Sequence, residues 1–122
     1  MAESSVERVR EAYGLVRRGD PRELLAFVAP NAVWEGTECK NGEQVAKTLL
    51  WRGAMHRLRA TDFVDVGDRV VVTLTGTRMN RLGAPWWGWR IWQVVTVRDG
   101  QIVRIEDFPR REDAFAAVGL RA

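Results

Sequence analysis

The sequence is poor in the residues that build cross-links and metal centres. Among its 122 residues there is one cysteine, Cys39, and one histidine, His56. No intramolecular disulfide can form, and no cluster has zinc- or iron-ligand spacing. Neither a metal nor a cofactor is expected. Long apolar runs are missing as well: no stretch approaches the roughly 18 apolar residues that read as a membrane span. The opening MAESSVERVR is polar and acidic, without the apolar centre of a signal peptide. The expectation is a cytoplasmic protein with no membrane partner. Of the 19 basic residues only Lys40 and Lys47 are lysine, and the rest are arginine. The net charge is +3, with bases interleaved among acids, so no basic block marks a nucleic-acid surface and no nucleic-acid partner is expected.

Tryptophan, in contrast, is abundant. There are six, and Trp86, Trp87, Trp89 and Trp92 crowd into one short stretch. A length of 122 residues suits one domain, 1–122, with one core and one site.

Local signals divide the chain into a helical first half and a stranded second half. Ser4-Ser5-Val6-Glu7 is a capping box that starts a helix with Val6, Val9, Tyr13 and Val16 on one stripe, and Gly19 stops it. Asp20-Pro21-Arg22-Glu23 restarts a helix that buries Leu24, Leu25, Phe27 and Val28 until Pro30-Asn31 ends it. Ala32 to Glu35 reads as a short strand. Asn41 and Gln44 cap a third helix carrying Val45, Leu49 and Leu50 to Gly53, on which Trp51 is expected to pack into the core. From about residue 57 the hydrophobic period changes. Strands are predicted over 57–66, 69–79, 88–98 and 102–108, with 80–87 as a loop, and a last short helix over 109–118. Helices followed by a meander of strands make an α+β fold, a curved and mostly antiparallel sheet wrapped around the N-terminal helices and enclosing a pocket.

The hairpin VRDGQIVRIEDF contains the one anomaly. Asp99-Gly100 signals a two-residue turn, and a regular register then pairs Val97 with Ile102, Thr96 with Val103, Val94 with Ile105 and Trp92 with Asp107. Asp107 falls on an apolar face, and Arg90 shares that face diagonally. A carboxylate among hydrophobes must be paired, hydrogen-bonded or protonated. It is therefore a candidate functional acid or, on the structural reading, an anchor for the C-terminus bonded to Arg90 or to backbone near Pro109.

These residues carry a resemblance. Ala12-Tyr13 through Arg18-Gly19-Asp20, then Leu24-Leu25, Ala29-Pro30-Asn31-Ala32-Val33-Trp34, and above all Asp99 to Phe108 followed by Arg111-Glu112-Asp113-Ala114 resemble the SnoaL-like polyketide cyclases. These belong to the nuclear transport factor 2-like superfamily, together with ketosteroid isomerases and limonene epoxide hydrolases. The resemblance implies a cone-shaped α+β barrel with an internal apolar pocket at the wide end of its sheet, usually homodimeric. It places Asp107 where cyclases and epoxide hydrolases carry a catalytic acid on the last strand. Arg90 matches the arginine of the hydrolases' Arg-x-Asp pair, but the second acid of that pair corresponds to Trp92. The hydrolases' water-holding Tyr and Asn fall near Trp34 and Gly36. The isomerases' general base falls at Gly36 beside Glu35, and their helix-one tyrosine lies one residue from Tyr13.

Three functions follow. Asp107 and Arg90 would be catalytic in cyclase- or isomerase-type acid–base chemistry. Alternatively, a small apolar or aromatic ligand would bind among Trp34, Trp92, Tyr13 and Trp89, with the acid and the arginine fixing its orientation. In the third the domain is a homodimeric scaffold without a ligand, its more polar sheet face of Gln93, Val95, Arg104 and Glu106 pairing with a second copy. His56 is expected at a helix end and Cys39 as a bystander.

Overall fold

The computed structural model describes residues 4–79 and 85–120, with the side chains of 78, 79 and 85–89 outside the description. Three side-chain caps start the helices where the sequence signals them. Ser4 accepts from the Glu7 amide before α1 (Ser5–Arg18), Asp20 from Glu23 before α2 (Pro21–Ala26), and Asn41 from Gln44 before α3 (Gly42–His56). Between α2 and α3 runs β1 (Val28–Trp34). Then follow β2 (Arg59–Val66), β3 (Arg69–Met79), β4 (Pro85–Arg98), β5 (Gln101–Phe108) and α4 (Arg111–Ala117).

The strands form one open sheet in the order β1-β5-β4-β3-β2, in which β1 runs parallel to β5 and the other neighbours are antiparallel. Each ladder contains a register shift. Such irregularities bend strands and raise the local twist, which curves the sheet around the helices.

The two faces have different covers. Val70, Val72, Leu74, Val95, Val97, Ile102 and Ile105 pack with Val9, Leu15, Leu24, Val45 and Leu49 of α1, α2 and α3. The opposite face buries Val71 and Val94 under Ala114 and Phe115 of α4 and under Val118. Helices therefore cover both faces, not one, because the last helix returns behind the sheet. No described helix is long and apolar enough to cross a membrane.

Four local expectations change. The second helix stops at Ala26, and Pro30-Asn31 lie inside β1, at an edge strand with a register shift that tolerates a residue lacking an N–H. β4 begins at Pro85 and pairs with β3 from there, so part of the expected loop is strand. α3 runs on to His56, whose ring Nδ1 lies 3.0 Å from the Thr77 carbonyl. Trp51 is 58% exposed, because the buried stripe of α3 is made by Val45, Ala46 and Leu49 on its other side.

Candidate functional site

Asp107 acquires its surroundings through one irregularity. The Asp99-Gly100 turn has positive φ at both residues, 51° and 75°, and Val97 pairs with Ile102 as a two-residue turn requires. Val103 is then bulged out. Thr96 pairs with Arg104, Val95 with Ile105, Gln93 with Asp107 and Trp92 with Phe108. A one-residue slip moves a strand's side chains to the other face. Asp107 stays on the face of Ile105, toward the helices, but its neighbour on β4 is Gln93 in place of Trp92.

Three elements besides β5 deliver groups to this carboxylate, and a fourth braces one of them. Gln93 of β4 donates its amide N–H to Asp107 Oδ1 at 2.8 Å. Trp34, at the end of β1, donates Nε1–H to Oδ2 at 2.9 Å. Arg52 of α3 lies 3.5 Å from Oδ2 and stacks its guanidinium 4.7 Å from the centre of the Trp34 ring. Tyr13 of α1 donates its hydroxyl to Gln93 Oε1. That last bond fixes the amide: were Gln93 turned over, its oxygen would face the carboxylate and its NH2 the phenol. Donors on both oxygens are what an ionised carboxylate requires. Trp34 and Gln93 are almost fully buried, whereas the Asp107 side chain is 24% exposed. The carboxylate is thus gripped from inside and open from outside.

The same burial acts on Tyr13. Desolvation, and secondarily the charge of Asp107, push its hydroxyl well above the ordinary tyrosine value near 10. The phenol therefore stays a donor in the fold while it ionises near pH 10 in the unfolded chain. The raised folded value contributes stability that is complete below pH 10 and is lost as the pH rises. In that window the unfolded state binds fewer protons, so unfolding becomes easier by up to about 1.4 kcal/mol per pH unit. Tyr13 is the only tyrosine, so tyrosinate absorbance should appear together with unfolding in an alkaline titration and not before it. Tyr13→Phe should flatten the alkaline slope and cost about 1–3 kcal/mol at neutral pH, the penalty of leaving the buried Gln93 oxygen without its donor. Tyrosinate signal in the folded protein near pH 10 would refute the burial argument.

The remaining sequence-derived candidates lie elsewhere. Arg90 pairs across from Thr75 and is exposed. It shares the parity of Trp92, so the bulge that brings Gln93 to Asp107 puts Arg90 on the other face. Trp92 packs with the α4 cluster, and its buried Nε1 has no hydrogen-bond partner among the described residues. Trp34 and Trp92 therefore do not face one another across a pocket. The backbone of Trp89 pairs with Gly76, and its side chain lies outside the described residues. Cys39 is buried, 3.2 Å from the Thr48 hydroxyl. Among the described residues no three His, Cys, Asp or Glu side chains gather to hold a metal.

Two members of the site escaped the sequence reading. Arg52 continues the Val45–Leu49 stripe at helical spacing, and a charge on that stripe was a usable signal. A regular register puts Gln93 on the face opposite Asp107. The clue to the bulge was Ile102 and Ile105, two large apolar residues an odd number apart in one strand.

Solved structures share this architecture. A nuclear transport factor 2-like protein of unknown function from Burkholderia pseudomallei matches with a TM-score of 0.70 and 20% identity, over 97% of this chain and 99% of that one. A candidate polyketide cyclase from Sinorhizobium meliloti matches at 0.65 and 19%, over 84% and 94%. A ketosteroid isomerase-like fold protein from Catenulispora acidiphila, solved with trimethylamine, matches at 0.67 and 17%, over 93% of each chain. No curated protein sequence is significantly similar. Likeness at these identities establishes the fold, while the sequence itself matches the SnoaL-like domain over residues 9–105, and the protein belongs to that family.

Proposed function

We propose that the protein binds a small apolar or aromatic carbonyl compound over Asp107, and that Asp107 serves as general base and then general acid toward it. The observation that carries this reading is a partly exposed carboxylate with both oxygens held by donors from a buried network. Three donors leave part of the acceptor capacity of the carboxylate free on its open side. A base so positioned needs no reorganisation to take a proton from an enolisable C–H or a phenol. Arg52, half-buried and aimed at the same oxygen, takes the role expected of Arg90: its guanidinium can stabilise the oxyanion that forms as the proton leaves. A candidate polyketide cyclase among the structural neighbours agrees with this class of substrate.

A second reading has its own support. Every polar group in the chain Tyr13–Gln93–Asp107–Trp34 has a partner within the protein, as a structural tie in a homodimeric scaffold would. Exchange of the α-protons of 2-tetralone in D2O, followed by NMR, separates the two. Wild type should accelerate exchange over buffer, and Asp107→Asn should lose that acceleration by about a hundredfold or more, within the usual worth of a positioned base. Equal exchange by both proteins removes Asp107 from the chemistry. No acceleration by either, with no ketone-dependent change in melting, gives the scaffold reading the lead. Melting of the variant alone does not decide, since an Asn amide nitrogen would face the Trp34 or the Gln93 donor whatever the function.

A further inference from the structure

Gly14 sits in the middle of α1, where glycine costs about 1 kcal/mol relative to alanine. A glycine is usually kept in a helix by a neighbour that a side chain would strike. Here a Cβ would meet nothing within 4 Å. Packing therefore gives no reason for the residue, and the space its side chain would fill belongs to a cleft.

That cleft, about 160 Å³, lies between α1 and the start of β2. Arg10, Arg17 and Arg59 border it, and no Asp or Glu lines it. Among the described residues none of the three arginines is paired with a carboxylate. Three positive side chains bordering one cleft with no acid in its lining make its potential positive, which favours an anion there. The wall between them is apolar: Leu58, Ala60 and the Phe63 ring. Phe63 is already held edge-on by Tyr13, with ring centroids 6.3 Å apart, and the Arg10 guanidinium lies 5.1 Å from its centre. The volume is close to that of a cavity that accepts a benzene ring.

We infer that this cleft is a second small-molecule site, separate from Asp107, that takes an aromatic acid. The phosphate or carboxylate of the ligand engages Arg10, Arg17 and Arg59 by charge-assisted, bidentate hydrogen bonds. Its ring lies on Phe63 and Leu58 and passes over the bare backbone of Gly14. Tyr13 divides the two sites, with its ring facing the cleft and its hydroxyl in the Asp107 network.

Calorimetric titration of the full chain with phenyl phosphate, inorganic phosphate and benzyl alcohol tests the assignment. Phenyl phosphate should bind, more weakly as salt rises. Inorganic phosphate should bind at least about tenfold more weakly for want of the ring contact, and benzyl alcohol not measurably. Arg10→Gln and Arg17→Gln should each weaken phenyl phosphate by about tenfold or more. Gly14→Met, which fills the cleft and suits a helix, should abolish binding in a protein that melts no lower than wild type. Asp107→Asn should bind phenyl phosphate as wild type does. The inference fails if wild type does not bind phenyl phosphate at millimolar concentration, if binding survives Gly14→Met and both arginine variants, or if Asp107→Asn alone removes it. Equal binding of phosphate and phenyl phosphate refutes the aromatic half, and binding of benzyl alcohol refutes the anionic half.

Discussion

Trp34→Ala should lower the stability of the protein by about 3–5 kcal/mol, the usual cost of emptying a large buried aromatic position. Chemical denaturation would show it as a fall in midpoint at constant slope. The expectation rests on two independent losses. The indole is 1% exposed within the main core cluster, so its removal leaves a cavity that close-packed neighbours can only partly fill. Its Nε1–H is also one of the two neutral donors on Asp107, and its ring is the platform under the Arg52 guanidinium. Trp34→Phe separates the terms, since it keeps most of the apolar volume and removes the donor. It should cost clearly less than the alanine variant in stability, yet impair any chemistry at Asp107 nearly as much, because the carboxylate would be free to turn. A loss below about 1 kcal/mol for Trp34→Ala would mean that the indole is not a core side chain, and the site built on it would fall too.

How far this site could be read beforehand depends on the range of each signal. Local signals were reliable. The Asp99-Gly100 turn, the caps at Ser4, Asp20 and Asn41 and the inward parity of Asp107 each depend on residues a few positions apart. The Asp107 network draws on α1, β1, α3 and β4 as well as β5, and no window of sequence contains it. What misdirected the reading was one extra residue. With Val103 bulged, the partner of Asp107 changes from Trp92 to Gln93, and Arg90 leaves the site by the same geometry. Alternation in β4 could not reveal this, because both of its parities carry valines and tryptophans. Trp51 misled for a different reason. A large aromatic on an amphipathic helix is usually buried, but hydrophobicity does not state where the stripe lies, and here Leu49, not Trp51, points to the sheet. The expected function was drawn from the fold, and in the proposed site the residues assigned to it differ. Arg52 replaces Arg90, and Trp34 is a hydrogen-bond donor beneath an arginine where an open aromatic wall had been expected.

Gly42→Ala should be the most damaging of the alanine changes at the glycines of the described helices, at about 3 kcal/mol or more, the upper end of what overpacking costs. Gly42 is the first residue of α3 and rests on β1. A Cβ there would overlap the Ala29 carbonyl oxygen, with the carbonyl carbon at 3.1 Å and Pro30 Cα at 3.4 Å. All three obstacles are backbone, so no rotamer change relieves them, and either the helix start or the strand must move. Movement at this end has a lever arm. Arg52 lies ten residues further along α3, about 15 Å at the rise of an α-helix, and its 3.5 Å approach to Asp107 tolerates little tilt. The variant should therefore lose the Arg52 contact together with stability, melting on the order of 10 °C lower for a domain of this size. Two other glycines calibrate the claim. At Gly53 an added Cβ clashes with the Cγ1 of Val16, at 2.6 Å, and meets the Val16 carbonyl oxygen only at an ordinary 3.9 Å, so a side chain and not backbone has to give, at a smaller cost. At Gly14 it meets nothing, so alanine should stabilise by up to about 1 kcal/mol through helix propensity. Melting temperatures should rank Gly14→Ala above wild type, Gly53→Ala below it and Gly42→Ala lowest. If Gly42→Ala melts with wild type, α3 does not seat on β1 at this point, and the position of Arg52 over Asp107 loses its structural cause.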